Sequence, residues 1–381
     1  MNPFRHCRGL VCALALGFGA GHGLAAQDLP KPEIKWNGLC VRGTFADAQA
    51  NFPVGVKYVL DSERSVNFSR GILREFRAEA KPGGKRLVDR IAADDFLPKA
   101  SSGRALVMAC ALSYELCDSI KVGRTTKIFA EIGFDLILVN FSDLAVVLSL
   151  PLRSQIIDAG EPTPERFEKL LHQLYSTSLV KRCLEAAKWQ WSGDLAFATA
   201  GLTAVNVWEQ AAAEMPEKLR PIAAEHVSRI AASDFFEGAG LPIIPQTKGR
   251  EMVFSLMREE LADASRLAAD QMRKGVSFVL REPDYSVELV IPAFQTAVAE
   301  RTDIAIYAQN CSYARITIKK GDAQLYSEKH DACVTNLFPP GTQKMSTWLS
   351  YQDAMSKLFF DGIKKIKTNP NATRLFKDCA P

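Results

Sequence analysis

The stretch KIFAEIGFDLILVN at 127–140, followed by FSD at 141–143 and LAVVLSLPLRSQII at 144–157, decides what fold this chain can adopt. Its centre, Phe134 to Leu152, is strongly apolar, yet Asn140, Ser142 and Asp143 interrupt it. A membrane-spanning helix needs about 20 predominantly apolar residues. Two buried strands joined by the turn Phe141-Ser142-Asp143 fit the pattern better. Working upstream, Ala105 to Leu116 reads as a third strand of the same sheet. Downstream, Thr163 is placed to cap a helix, with Pro164 at its first position and Glu165 at its positive end. Phe167, Leu170, Leu171, Leu174 and Cys183 then form one apolar stripe that runs to about Trp189.

Further out, Gly38 to Phe45 and Val54 to Leu60 are expected as strands, the latter from its alternation of Val54, Val56, Tyr58 and Leu60. Phe68, Ile72 and Phe76 predict a helix stopped at Lys81-Pro82-Gly83-Gly84, and Arg86 to Ala93 is expected to be helical. In the second half, Leu219 to Ala231 has helical spacing, and a helix is expected from Arg250 to Lys274 with Gly275 as its stop. Strands follow at Val276 to Leu280, Tyr285 to Ile291, Ile304 to Tyr307, Tyr313 to Lys319 and Ala323 to Ser327. A last amphipathic helix carries Trp348, Tyr351, Met355, Leu358, Phe359 and Ile366.

These elements predict an α+β fold of two similar sheet-plus-helix domains, mainly antiparallel, with amphipathic helices packed on one face. The division falls near residue 192, giving residues 27–192 and 193–381. Arg90-Ile91-Ala92-Ala93-Asp94-Asp95-Phe96 matches Arg229-Ile230-Ala231-Ala232-Ser233-Asp234-Phe235 in six of seven positions, and the order of elements agrees, which raises an internal duplication.

Residues 1–26 contain Arg5 and Arg8, no acid, the apolar run Leu10 to Leu16 and small residues ending at Ala25 and Ala26. That pattern reads as a cleavable export signal, cut after Ala25 or Ala26. Its loss would lower the net charge from +4 to +2, because two arginines and no acids leave with it. With 47% hydrophobic and 24% charged residues, the 381-residue chain is not a disordered or fibrous one. No basic face marks it for nucleic acid. A periplasmic or secreted location follows.

Of the nine cysteines, Cys7 and Cys12 belong to the signal, leaving Cys40, Cys110, Cys117, Cys183, Cys311, Cys333 and Cys379. In an oxidising compartment all are disulfide candidates, with room for three bridges and one thiol. Cys311 and Cys333 lie at equal distances from Asp322, so a hairpin turning there brings them face to face. Cys110 and Cys117 are an odd number apart, which on a regular strand puts them on opposite faces. His226 lies on the apolar face of its helix, as a core histidine would, and His330 is expected at a surface strand end. No HExxH, CxxC pair, EF-hand loop, P-loop or GxSxG elbow occurs, so no metal, cofactor or catalytic residue is assigned.

The run from Ala105 through Cys110 and Tyr114 to Glu115, followed by the hairpin and a closing helix, resembles periplasmic α/β domains of the CsgG-like envelope accessory group. The resemblance implies assembly or docking at the outer membrane without catalysis, and it carries no functional residue over. The group's lipid-attachment cysteine is missing here, a departure that argues against anchoring at the outer membrane. The chain thus reads as an exported envelope protein that acts by binding or assembly, through a protein partner or self-association. A secreted hydrolase without a recognisable motif and a periplasmic carrier of a small or lipid-like ligand are the alternatives.

Overall fold

In a computed structural model the described residues are 33–91, 106–122, 125–191, 193, 197–247, 249–257, 269–342 and 345–379. The expected export signal with Ala25 and Ala26, residues 92–96 of the first matched heptapeptide and residue 192 lie outside them. The chain is an α+β fold, 38% helix and 41% strand, built on two sheets.

The first sheet is a closed barrel. Strands β1 (Ile34–Arg42), β2 (Leu106–Val122), β3 (Thr125–Asn140) and β4 (Ala145–Ala159) run in that order, the last two being the hairpin expected around Phe141-Ser142-Asp143. A late hairpin, β7 (Glu251–Ser255) and β8 (Val276–Leu280), closes the ring, with β7 against β1 and β8 against β4. The expected helix from Arg250 to Lys274 is therefore corrected over its first residues. Met252 and Phe254 alternate inward to the barrel interior with Phe278, which is strand periodicity. This hairpin also crosses the expected division near residue 192, since it follows that point in the chain yet completes the first sheet.

Helices cover the barrel's outer side: α1 (Phe45–Asn51), α2 (Pro53–Leu60), α3 (Ser62–Glu79), α4 (Pro164–Gln173) and α5 (Leu179–Ala187). Val54 to Leu60 is thus helical, not extended. Pro53 presets the first turn, and the neighbours Tyr58 and Val59 are both buried while Leu60 is exposed, which the alternation of a strand would not give. Arg86 to Ala93 contributes only a 3-10 turn, Leu87–Arg90, among the described residues. Thr163 caps α4 by accepting from the Arg166 amide at 3.2 Å.

The second sheet is open. It contains β5 (Ala200–Val207), β6 (Ile243–Ile244), β9 (Tyr285–Ile291), β10 (Phe294–Arg301), β11 (Ile306–Lys320) and β12 (Ala323–Phe338). The strands expected at Ile304 to Tyr307 and Tyr313 to Lys319 are one strand, β11. Its inner residues Ile316 and Ile318 face a core closed by the short α6 (Glu209–Ala212), by α7 (Ala223–Ala239) and by the long helix Trp348–Thr368. Thr347 caps that long helix at the Ser350 amide, 2.9 Å away. Antiparallel pairings predominate, seven of the eleven between named strands. The two sheets differ in closure, and Arg90 ends a 3-10 turn whereas Arg229 lies mid-helix, so the matched heptapeptides start from unlike local structure.

The long β2–β3 hairpin joins both cores. Cys110, Leu112, Ile132 and Phe134 belong to the first, while Leu116 and Phe129 belong to the second. Among the described residues, no helix is long and apolar enough to cross a membrane.

Candidate functional site

A β-bulge in β2 lies at the floor of a cleft between helices. The pairing register of β2 with β3 shifts between Leu112 and Tyr114, leaving Ser113 as the extra residue. From that point the alternation reverses. Cys117 therefore faces the first core together with Cys110, and the expectation that the two cysteines occupy opposite faces is corrected. Tyr114 turns to the second core, where its ring lies over Gly133, its partner in the register. A Cβ at Gly133 would stand 1.9 Å from that ring, so only glycine leaves the space.

The cleft encloses about 480 Å³ and is lined from both sides of the fold: α1, α2 and α4 on one, the 3-10 turn Glu217–Ile222 and α7 on the other, with Tyr114, Glu115 and Cys117 as floor. That volume suits a small ligand. Its walls are apolar, including Val54, Phe167, Leu171, Leu219 and Ile222, and its rim carries Lys57 paired with Glu168 at 3.8 Å.

Each polar group of the floor has a distinct role. Glu115 accepts from the Val54 and Gly55 amides at the start of α2, whose N-cap residue Phe52 supplies no side-chain bond. It also accepts from the Tyr175 hydroxyl at 2.7 Å. Burial pushes its carboxyl above the usual range, and these donors oppose the rise. Arg229 donates to the carbonyl of the bulge residue Ser113 at 2.6 Å and to Glu225 at 2.6 Å, with its guanidinium 5.7 Å from the Tyr114 ring centre. Lys218 donates to the Cys117 carbonyl at 3.2 Å.

His226 differs from these. Only 2% exposed, it packs against the rings of Tyr114 and Trp348, and its Nε2 has no hydrogen-bond partner. Burial pushes its pKa down to about 3, reinforced by Arg229, Arg153 and Lys218, so the ring is neutral at physiological pH. A buried polar nitrogen left unpaired is costly unless something meets it.

Behind the floor runs a buried charge network. The Tyr114 hydroxyl donates to Glu131 at 2.5 Å. Arg153 stands 3.8 Å from Glu131 and donates to Asp234 at 2.8 Å and to Ser356 at 2.5 Å. Gln352 donates to Glu131 at 3.4 Å. Burial pushes Asp234 up to about 6 and raises Glu131, against the pull of Arg153 on both.

The cysteines disperse around this site. Cys311 and Cys333 are paired across β11 and β12 and joined by a disulfide. Ser312, the next residue along β11 and so on the opposite face, donates to the Tyr351 carbonyl under the long helix at 2.9 Å, which puts the bridge on the other face of the sheet. Cys40 lies inside the barrel, Cys379 in the second core, and Cys110 meets Cys183 with sulfurs 3.2 Å apart. These four and Cys117 are thiols. The structure thus has one bridge among the described residues where seven cysteines leave room for three. Burial pushes the Cys117 thiol up to about 12, so it stays protonated at the cleft floor and is no nucleophile. His330 is not at the surface: it is buried under the long helix, with Nε2 2.9 Å from the Tyr326 hydroxyl. Tyr114, Glu115, Lys218 and Arg229 carry no motif, and the bulge that aims them leaves no compositional mark. Among the described residues, no group of His, Cys, Asp and Glu is placed to hold a metal.

No family model matches the chain, and no curated protein matches it. Among solved structures it is similar to a hypothetical protein from Chlamydia trachomatis, 14% identical, with a TM-score of 0.23, covering 46% of this chain and 98% of that one. It is also similar to a "putative lipoprotein" from Caulobacter crescentus, 17% identical, with a TM-score of 0.18, covering 25% of this chain and 69% of that one.

Proposed function

We propose that this chain is an exported envelope protein that binds, without transforming, a small ligand with an apolar body and one polar end in the cleft over Tyr114. The observation that carries the reading is the unpaired Nε2 of His226, buried at a cleft where the Nε of Arg229 is also without a partner, whereas Glu115, Lys218 and the two terminal nitrogens of Arg229 are engaged. A ligand atom reaching that nitrogen would remove the penalty, and the apolar walls would take up the rest of the molecule. Catalysis is less well served. His226 is neutral and lacks an orienting carboxylate, Glu115 is engaged as a helix cap, and Cys117 keeps its proton. Export is supported by the pattern of residues 1–26 and by the Cys311–Cys333 bridge.

The test is native mass spectrometry of the protein taken from envelope extracts, beside Ile222→Trp. Ile222 is partly exposed at the cleft mouth, so a larger ring there blocks entry while sparing the core. A bound mass of a few hundred daltons that the variant loses is expected. An unliganded protein, or a mass retained by the variant, would overturn the reading.

A second reading, assembly, follows from β12, whose 16 residues pair, among the described residues, only with β11, leaving one long edge open. The docking role implied by the CsgG-like resemblance would fall to this edge. Glu328, Lys329 and Asp331 are exposed along the strand, and such charges commonly keep an edge from pairing. Light scattering that shows concentration-dependent oligomers, lost on Leu337→Lys, would favour it.

A further inference from the structure

Cys110 is in the middle of β2, three residues before the bulge, and Cys183 is on the buried stripe of α5. Both are fully buried and their sulfurs approach to 3.2 Å. A disulfide needs about 2 Å, a closure of roughly 1 Å that a small change of side-chain torsion can supply. The other thiols have separate surroundings: Cys40 inside the barrel, Cys379 in the second core and Cys117 at the cleft floor.

We propose that Cys110 and Cys183 form a second disulfide, which fastens α5, the continuation of the cleft-wall helix α4 through residues 174–178, to the strand that makes the cleft floor. The inference rests on the export reading, because a reducing compartment would keep the pair as thiols. In forming the bond, the two thiols lose two protons and two electrons. The electrons reduce the disulfide of a thiol oxidant of the exporting compartment to its dithiol. Oxidation must precede the docking of α5, since in the folded chain neither sulfur is exposed to an oxidant and burial keeps the Cys110 thiol protonated. Once formed, the bond is shielded from reductants by the same packing.

The test is peptide mapping of the exported full chain, denatured in excess N-ethylmaleimide without reductant. The expected result is a Cys110 peptide linked to a Cys183 peptide, beside the linked Cys311 and Cys333 peptides, with Cys40, Cys117 and Cys379 alkylated. Alkylated Cys110 and Cys183 beside an intact Cys311–Cys333 link would overturn the inference and leave the export reading standing. Alkylation of all four would overturn both. As a second measurement, mild reductant applied to the folded protein should open Cys311–Cys333 and leave the Cys110–Cys183 link intact. Equal loss of both would refute the shielding.

Discussion

Replacing Arg153 by Met removes the cation set between Glu131 and Asp234. Both carboxylates are fully buried, and Arg153 lies 3.8 Å from one and 2.8 Å from the other. Breaking a buried ion pair on one side costs about 3–5 kcal/mol, because an uncompensated charge stays inside. Protonation gives an independent figure for one of the two carboxyls: keeping it neutral at pH 7, when its unfolded pKa is near 4, costs about 4 kcal/mol. The two routes agree, so a loss of about 3–5 kcal/mol at pH 7.5 is expected. The sign with pH also follows. Asp234 and Glu131 have raised pKa values in the folded protein, so they favour folding most below pH 4, and stability is lost as pH rises through about 6. Without Arg153 both rise further, so the deficit should shrink to about 1–3 kcal/mol at pH 5, where protonating each carboxyl costs less. Urea unfolding of wild type and Arg153→Met, followed by tryptophan fluorescence at both pH values, measures it. A deficit below about 1 kcal/mol at pH 7.5, or one that does not shrink on acidification, would refute the reasoning.

Glu115→Ala should uncap α2, costing about 1–3 kcal/mol and raising hydrogen exchange at the Val54 and Gly55 amides before the rest of the helix. Unchanged protection of those amides would show that Glu115 does not hold the helix end. Gly133→Ala would force a methyl into the Tyr114 ring and should cost about 1–3 kcal/mol in a urea titration. A neutral result would mean that Tyr114 has another resting place.

The parts of the fold written in side-chain periodicity were legible. The Phe141-Ser142-Asp143 turn, the capped helix from Thr163 and the strands Val276–Leu280 and Tyr285–Ile291 all follow from local pattern. The errors have physical causes. Val54 to Leu60 alternates only by accident of composition, and a cap from Glu115, 60 residues downstream of Gly55, makes it helical. Closure of the barrel by Glu251–Ser255 depends on pairing with β1, a contact no local window contains. Of the site, His226 was legible as a histidine of the apolar face. Its unpaired nitrogen was not, because that depends on Tyr114 and Trp348 arriving from two other elements.

The late position of β7 and β8 constrains how the chain can fold as it is made. Val41 of β1 and Ala145 of β4 find their last partners only when Ser255 and Val279 have been synthesised. At about 5–20 residues per second, that leaves two open strand edges on the nascent barrel for several seconds or more. Such edges invite pairing with other chains, and ring closure between distant segments is slow. An export route that keeps the chain extended until residue 280 has emerged would spare it that exposure, and a factor that covers the edges of β1 and β4 would serve the same end.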